Sequence, residues 1–70
     1  MIESIEIFVN GTTEIVAGGS SIGDLLKSKI IEPARVVVEV NQNIVKRDKF
    51  NSHLLNGCDK VEILRFVGGG

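Results

Sequence analysis

Phe66 and Val67 run directly into Gly68-Gly69-Gly70, and this glycine end is the segment best suited to chemistry. Glycine has the most conformational freedom to lose and no side chain to bury, so a glycine tail after an apolar strand is expected to stay mobile. A mobile, side-chain-free carboxylate can be threaded into the narrow active site of another protein. That is the physical requirement for a carrier loaded and unloaded at its C-terminal carboxylate. Gly70 is therefore the candidate reactive group, with Gly69 and Gly68 the candidate tail-threading residues. A β-carbon at Gly69 would collide with a channel fitted to bare backbone and would narrow φ and ψ.

Other reactive side chains offer less. Cys58 lacks a Cys-x-x-Cys partner and sits beside a turn, so nothing marks it as a nucleophile or sulfur acceptor. His53, the one histidine, has no metal-ligand spacing with Cys58 or the acids, whereas a zinc site needs about four such ligands; no metal is expected. Ser20 and Ser21 have no histidine base in a recognisable arrangement and fit helix capping better. Gly18-Gly19 is not followed by the Gly-Lys-Ser/Thr of a phosphate-binding loop. Lys46, Arg47 and Lys49 read as a solvated loop, with orientation of an acidic partner surface as the alternative.

Seventy residues make one small domain, near the lower limit at which an apolar core alone holds a fold. The expected division is a single domain over 1–67 and a glycine tail over 68–70. Hydrophobic residues make up 43% and charged residues 24%, the composition of a globule rather than a disordered segment. A net charge of −1 and three aromatics, all Phe, argue against a basic stacking surface for nucleic acid. One cysteine, no export signal and no apolar stretch able to span a bilayer make the reducing cytoplasm the expected compartment.

The elements that must position the tail follow from periodicity. Ile5, Ile7 and Val9 alternate with Glu6 and Phe8, as in a half-buried strand, and Asn10-Gly11 signals a turn. A three-residue loop would place Thr13, Ile15 and Ala17 on the face of Ile5 and Ile7. Since a one-residue slip flips every side chain, the pattern predicts that odd-length loop. Gly18-Gly19 breaks the second strand. Ser21 and Asp24 have capping-box spacing, predicting a helix from Ile22 that buries Ile22, Leu25, Leu26 and Ile30 and ends at Pro33. Arg35 to Val40 is a valine-rich strand covered at least partly on both faces, Ile44-Val45 a brief strand, and Val61 to Val67 the last. A polar connector over Lys46 to Leu55 is pinned by Phe50, Leu54 and Leu55. Hairpin, helix and further strands pack most economically as one helix across one mixed sheet, with the first and last strands central and parallel. The expected class is α+β: the β-grasp arrangement of ubiquitin-like proteins, four to five strands on one main helix, with a flexible C-terminal glycine tail.

Several residues carry a closer likeness: Val38-Glu39-Val40-Asn41, Ile44-Val45 followed by Arg47, Phe50, the Gly57…Asp59 turn and the Phe-Val-Gly-Gly-Gly end. Together they make the chain resemble the ThiS family, the sulfur carriers of thiamine thiazole biosynthesis, from Ile5 to Gly70. Lys46 stands where the family often has proline, and Phe50 where it often has tryptophan; both concern local packing. The resemblance implies that a ThiF-like adenylating enzyme, using ATP and Mg, converts the Gly70 carboxylate to an acyl-adenylate. Sulfur from a cysteine-derived donor then replaces AMP, leaving a Gly70 thiocarboxylate, and a ThiG-like thiazole synthase takes that sulfur. The chain is then a protein co-substrate rather than an enzyme, and binds no cofactor of its own.

Docking needs more than a tail. In the last strand Val61 and Ile63 share one face, leaving Leu64 and Phe66, with Phe8, as candidate partner-binding residues on an exposed apolar patch; the alternative is that a second layer of core covers them. Two functional alternatives remain open here. One is a MoaD-like carrier for molybdopterin synthase, using the same thiocarboxylate chemistry. The other is a ubiquitin-like module that binds a partner non-covalently.

Overall fold

The computed structural model describes residues 3–66. Five strands form one mixed sheet: β1 (Ser4–Val9), β2 (Thr12–Ala17), β3 (Val36–Val40), β4 (Asn43–Val45) and β5 (Lys60–Arg65). Their order is β2-β1-β5-β3-β4. β5 lies in the middle beside β1 and parallel to it, as the element order predicts, and is antiparallel to β3. One helix, α1 (Ile22–Ser28), follows the first hairpin. Ile22, Leu25 and Leu26 from α1 are buried with Ile7, Val9, Val36, Val38, Val40, Val61 and Ile63. The α+β, β-grasp class expected from the element order is the fold observed.

The first hairpin departs from expectation. Ser4 pairs with Ala17 and Val9 with Thr12, so the loop is the two-residue Asn10-Gly11 turn and Ile15 lies opposite Glu6. Asn10 (φ 48°) and Gly11 (φ 83°) both adopt left-handed conformations, the type I′ geometry whose twist matches that of the flanking strands. Val16, not Ile15, packs against the core, and Ile15 is exposed. Turn geometry thus overrode the preference to bury the larger side chain.

α1 starts as expected. Ser21 Oγ accepts from the Asp24 N–H at 3.0 Å and the Asp24 carboxylate accepts from the Ser21 N–H at 2.9 Å, the reciprocal capping box. Its end is earlier than Pro33. Ile31 N–H donates to Leu26 C=O and Ile30 N–H to Lys27 C=O, a Schellman closure with Lys29 as C-cap. Ile30 is therefore turned out, 92% exposed at φ 58°, and Ile31 takes the place on the core predicted for it. Pro33 instead opens a short 3-10 turn over Pro33–Arg35, so β3 begins at Val36 rather than Arg35.

The connector after β4 contains a 3-10 turn at Arg47–Lys49. Phe50 and Leu55 are buried, as predicted, but Leu54 is 55% exposed. Leu54 contributes instead through its backbone, in a bridge to Ser21, and Leu55 N–H donates to Ser20 C=O at 2.8 Å. Those strand-like bonds set alternate side chains on opposite sides, so only one of the two leucines can face inward.

Candidate functional site: the outer sheet face and the end of the central strand

β5 carries the chain toward its C-terminus along the centre of the sheet. Its inward residues Val61 and Ile63 are buried, while Leu64 is 51% and Phe66 60% exposed. Phe66 is tied down by its own N–H, which donates to Arg35 C=O at 2.9 Å. Val67, Gly68, Gly69 and Gly70 lie outside the described residues, and the tail-threading and reactive positions read from the sequence begin at Gly68, two residues beyond this anchor.

Two asparagines fix the central strand. At Asn10 the side-chain carbonyl accepts from Ile63 N–H at 2.7 Å and the amide donates to Ile63 C=O at 3.2 Å, continuing the parallel ladder past the end of β1. At Asn41 the amide donates to the buried Asp59 carboxylate at 3.0 Å, and its carbonyl accepts from Lys60 N–H at 3.0 Å. Asp59 also accepts from Asn56 N–H at 2.8 Å. The Asp59 side chain thereby holds together the β3–β4 turn and the entry to β5. Buried polar atoms are satisfied by such bonds, which gives a structural reason for the Asn41 and Gly57…Asp59 features noted in the sequence.

One face of the sheet is covered by α1 and the connector; among the described residues no element packs on the other. On that outer face Leu64 is opposite Val37, and Glu62 is opposite Glu39, which is in turn opposite Ile44. Ile44 is 67% exposed. Leu64, Phe66, Val37 and Ile44 therefore form an apolar margin around two carboxylates. Phe8 shares this face but pairs with Lys60, four residues before Leu64 along β5, or about 13 Å at the usual strand rise. It is half-buried and stands apart from the Leu64 cluster. Val37 and Ile44 were not singled out from the sequence. Their signal is present in the alternation of β3 and β4, but only strand order brings them beside Leu64.

The remaining candidates for chemistry are dispersed. Ser21 is buried and engaged in the cap, the role expected of it, whereas Ser20 does not cap the helix: its Oγ donates to Ala17 C=O at 2.6 Å, closing the turn after β2. Cys58 is exposed with φ 69°, and His53 lies beside the 3-10 turn of the connector. Among the described residues no cluster of three or more His, Cys, Asp or Glu is positioned to hold a metal, and no helix is long and apolar enough to cross a membrane.

A five-stranded mixed sheet grasping one helix, with its central parallel strand leading to the chain's glycine end, defines a ubiquitin-like β-grasp protein. The description "ThiS family" matches residues 3–70, and the chain belongs to that family. It is 40% identical over 50 residues to the sulfur carrier protein ThiS of Bacillus subtilis, covering 71% of this chain and 76% of that protein. The structure superposes on the crystal structure of the thiamine biosynthesis protein ThiS from Geobacter metallireducens with a TM-score of 0.80 and 32% identity, over 94% of this chain and 100% of that one. It is also 30% identical over 66 residues to a thiazole synthase of Magnetococcus marinus, covering 94% of this chain but spanning only 20% of that protein.

Proposed function

We propose that the chain is a sulfur carrier protein of thiamine biosynthesis, carrying sulfur as a thiocarboxylate on Gly70. The observation that supports this most directly is the ThiS match over 3–70, which takes in the glycine end as well as the fold. A carboxylate is anionic and resonance-stabilised, so nucleophiles do not attack it until one oxygen becomes part of a leaving group. A ThiF-like adenylating enzyme, with ATP and Mg, makes the Gly70 acyl-adenylate. The terminal sulfur of a cysteine-derived persulfide displaces AMP to give an acyl disulfide, and a second thiol cleaves the S–S bond, leaving with the donor sulfur as a disulfide and freeing the Gly70 thiocarboxylate. A ThiG-like thiazole synthase then accepts the sulfur, and the carboxylate returns. The likeness of this chain to a fifth of a thiazole synthase supports that pairing, since joining carrier to consumer in one polypeptide raises their effective concentration.

The chain supplies the substrate end, and its partners supply the catalytic groups. Leu64 and Phe66, with Val37 and Ile44, form the docking surface that presents the tail, with Phe8 at its far side. The reducing cytoplasm is the compartment in which a thiol-derived sulfur relay persists.

Intact-protein mass spectrometry tests this reading, after incubation with the organism's adenylating enzyme, ATP, Mg and a sulfur source. The expected result is a gain of about 16 Da, oxygen replaced by sulfur through nucleophilic displacement at the acyl carbon, absent in a chain lacking Gly70. No gain with an adenylating enzyme shown to be active leaves a non-covalent ubiquitin-like module. Sulfur delivered to a molybdopterin synthase and refused by the thiazole synthase leaves a MoaD-like carrier.

A further inference from the structure

The outer face places two like charges directly opposite one another. Glu39 and Glu62 are register partners in the β3–β5 pair. Ile63 turns its N–H and C=O toward Asn10 on the β1 side, so the backbone groups of Glu62 face β3. Glu39 and Glu62 therefore form a hydrogen-bonded antiparallel pair, with Cα atoms about 5.5 Å apart. Like charges in this relation weaken a sheet. The chain supplies no compensating partner among the described residues: the ion pairs there are Lys29–Glu14 and Arg35–Glu32. Lys60 lies on the same face two residues before Glu62 and reaches neither carboxylate.

We propose that Glu39 and Glu62 together receive one arginine or lysine side chain of the protein that docks on this face. The inference rests on the docking surface assigned above and names its polar centre. A partner that covers Val37, Ile44 and Leu64 must also cover the two carboxylates between them. Burying a carboxylate without a counter-charge is strongly unfavourable, so a purely apolar partner surface does not fit. A guanidinium fits best, because its planar fork of five donors can bridge two adjacent carboxylates. A divalent cation fits less well, since no third His, Cys, Asp or Glu joins the pair among the described residues.

The experiment uses the full chain, with Glu39→Gln/Glu62→Gln compared with wild type for binding to the organism's adenylating enzyme and thiazole synthase by calorimetry at low and high salt. The double variant should melt at or above the wild-type temperature, bind at least one of the two enzymes about tenfold or more weakly, and lose salt dependence. If the double variant melts low, the exposed Glu62→Gln alone provides the comparison, with weaker binding again expected. Leu64→Ser is the control for the docking surface. Weakening by Leu64→Ser with unchanged binding of the glutamine variant overturns the acidic-pair proposal and leaves the docking surface standing. Unchanged binding of both variants overturns both. Saturable binding of magnesium or calcium alone, lost in the glutamine variant while enzyme affinity stays constant, also overturns it.

Discussion

Asn10 and Ile63, 53 residues apart in sequence, are joined by a pair of hydrogen bonds in which one side-chain amide takes both backbone groups of the strand residue. The amide acts as the next residue of β1 and lets β5 run on beyond the hairpin. Asn10→Ala removes both bonds and puts alanine at φ 48°, where asparagine is better tolerated. Asn10→Gly keeps the conformation and removes the bonds alone. Chemical denaturation should show Asn10→Gly destabilised by roughly 1–3 kcal/mol and Asn10→Ala by more, with faster amide exchange at Ile63.

The capping box gives a pH signature. Hydrogen bonds from the Ser21 backbone N–H, then from its side chain, hold the Asp24 carboxyl below its ordinary value of 3.8, with the Lys27 charge adding to them. A carboxyl whose folded value is depressed contributes stability that is present above its unfolded value and is lost as pH falls through the folded one. Thermal melts of wild type and Asp24→Ala should therefore differ at neutral pH and converge as pH falls below 3.8. Ser21→Ala, which removes the cap acceptor, should cost about 1 kcal/mol at pH 7.

Ile30 is a β-branched residue at φ 58° with 92% of its surface exposed. The Schellman closure normally places glycine here, because a β-carbon strains the left-handed conformation. Ile30→Gly removes almost no packing. Net of the added freedom of the unfolded chain, it should raise stability by roughly 0.5–1 kcal/mol, seen as a higher midpoint in urea with an unchanged slope.

Asp59 is buried and accepts from Asn41 and Asn56. Asp59→Ala orphans both donors and should destabilise by roughly 1–3 kcal/mol. Heteronuclear spectra should show the largest shifts at the β3–β4 turn and at Lys60, whose N–H depends on Asn41 being held in place.

Gly69→Val is predicted to leave the melting temperature unchanged while abolishing thiocarboxylate formation in the mass assay. A β-branched side chain restricts the backbone and fills a channel shaped for glycine. An unchanged yield would mean that the tail is not threaded through a close-fitting site.

Local signals determined much of this protein. Ser21 and Asp24 specified the start of the helix because a cap depends on residues three apart, and the alternation around Ile7, Val38 and Val61 specified which faces go inward. The element order then left the β-grasp as the economical packing. Two departures from the pattern arise where two local rules compete. At Asn10-Gly11 the turn's twist set the register and put Ile15 outside. At Ile30 hydrogen-bond closure ended α1 before the apolar stripe did. Tertiary structure alone decided what stands beside what: Leu64 with Val37, Glu62 with Glu39, Glu39 with Ile44, and Phe8 away from them. Such neighbours come from strand order and register, set by long-range pairing and by clasps such as Asn10–Ile63, which no spacing along the chain encodes.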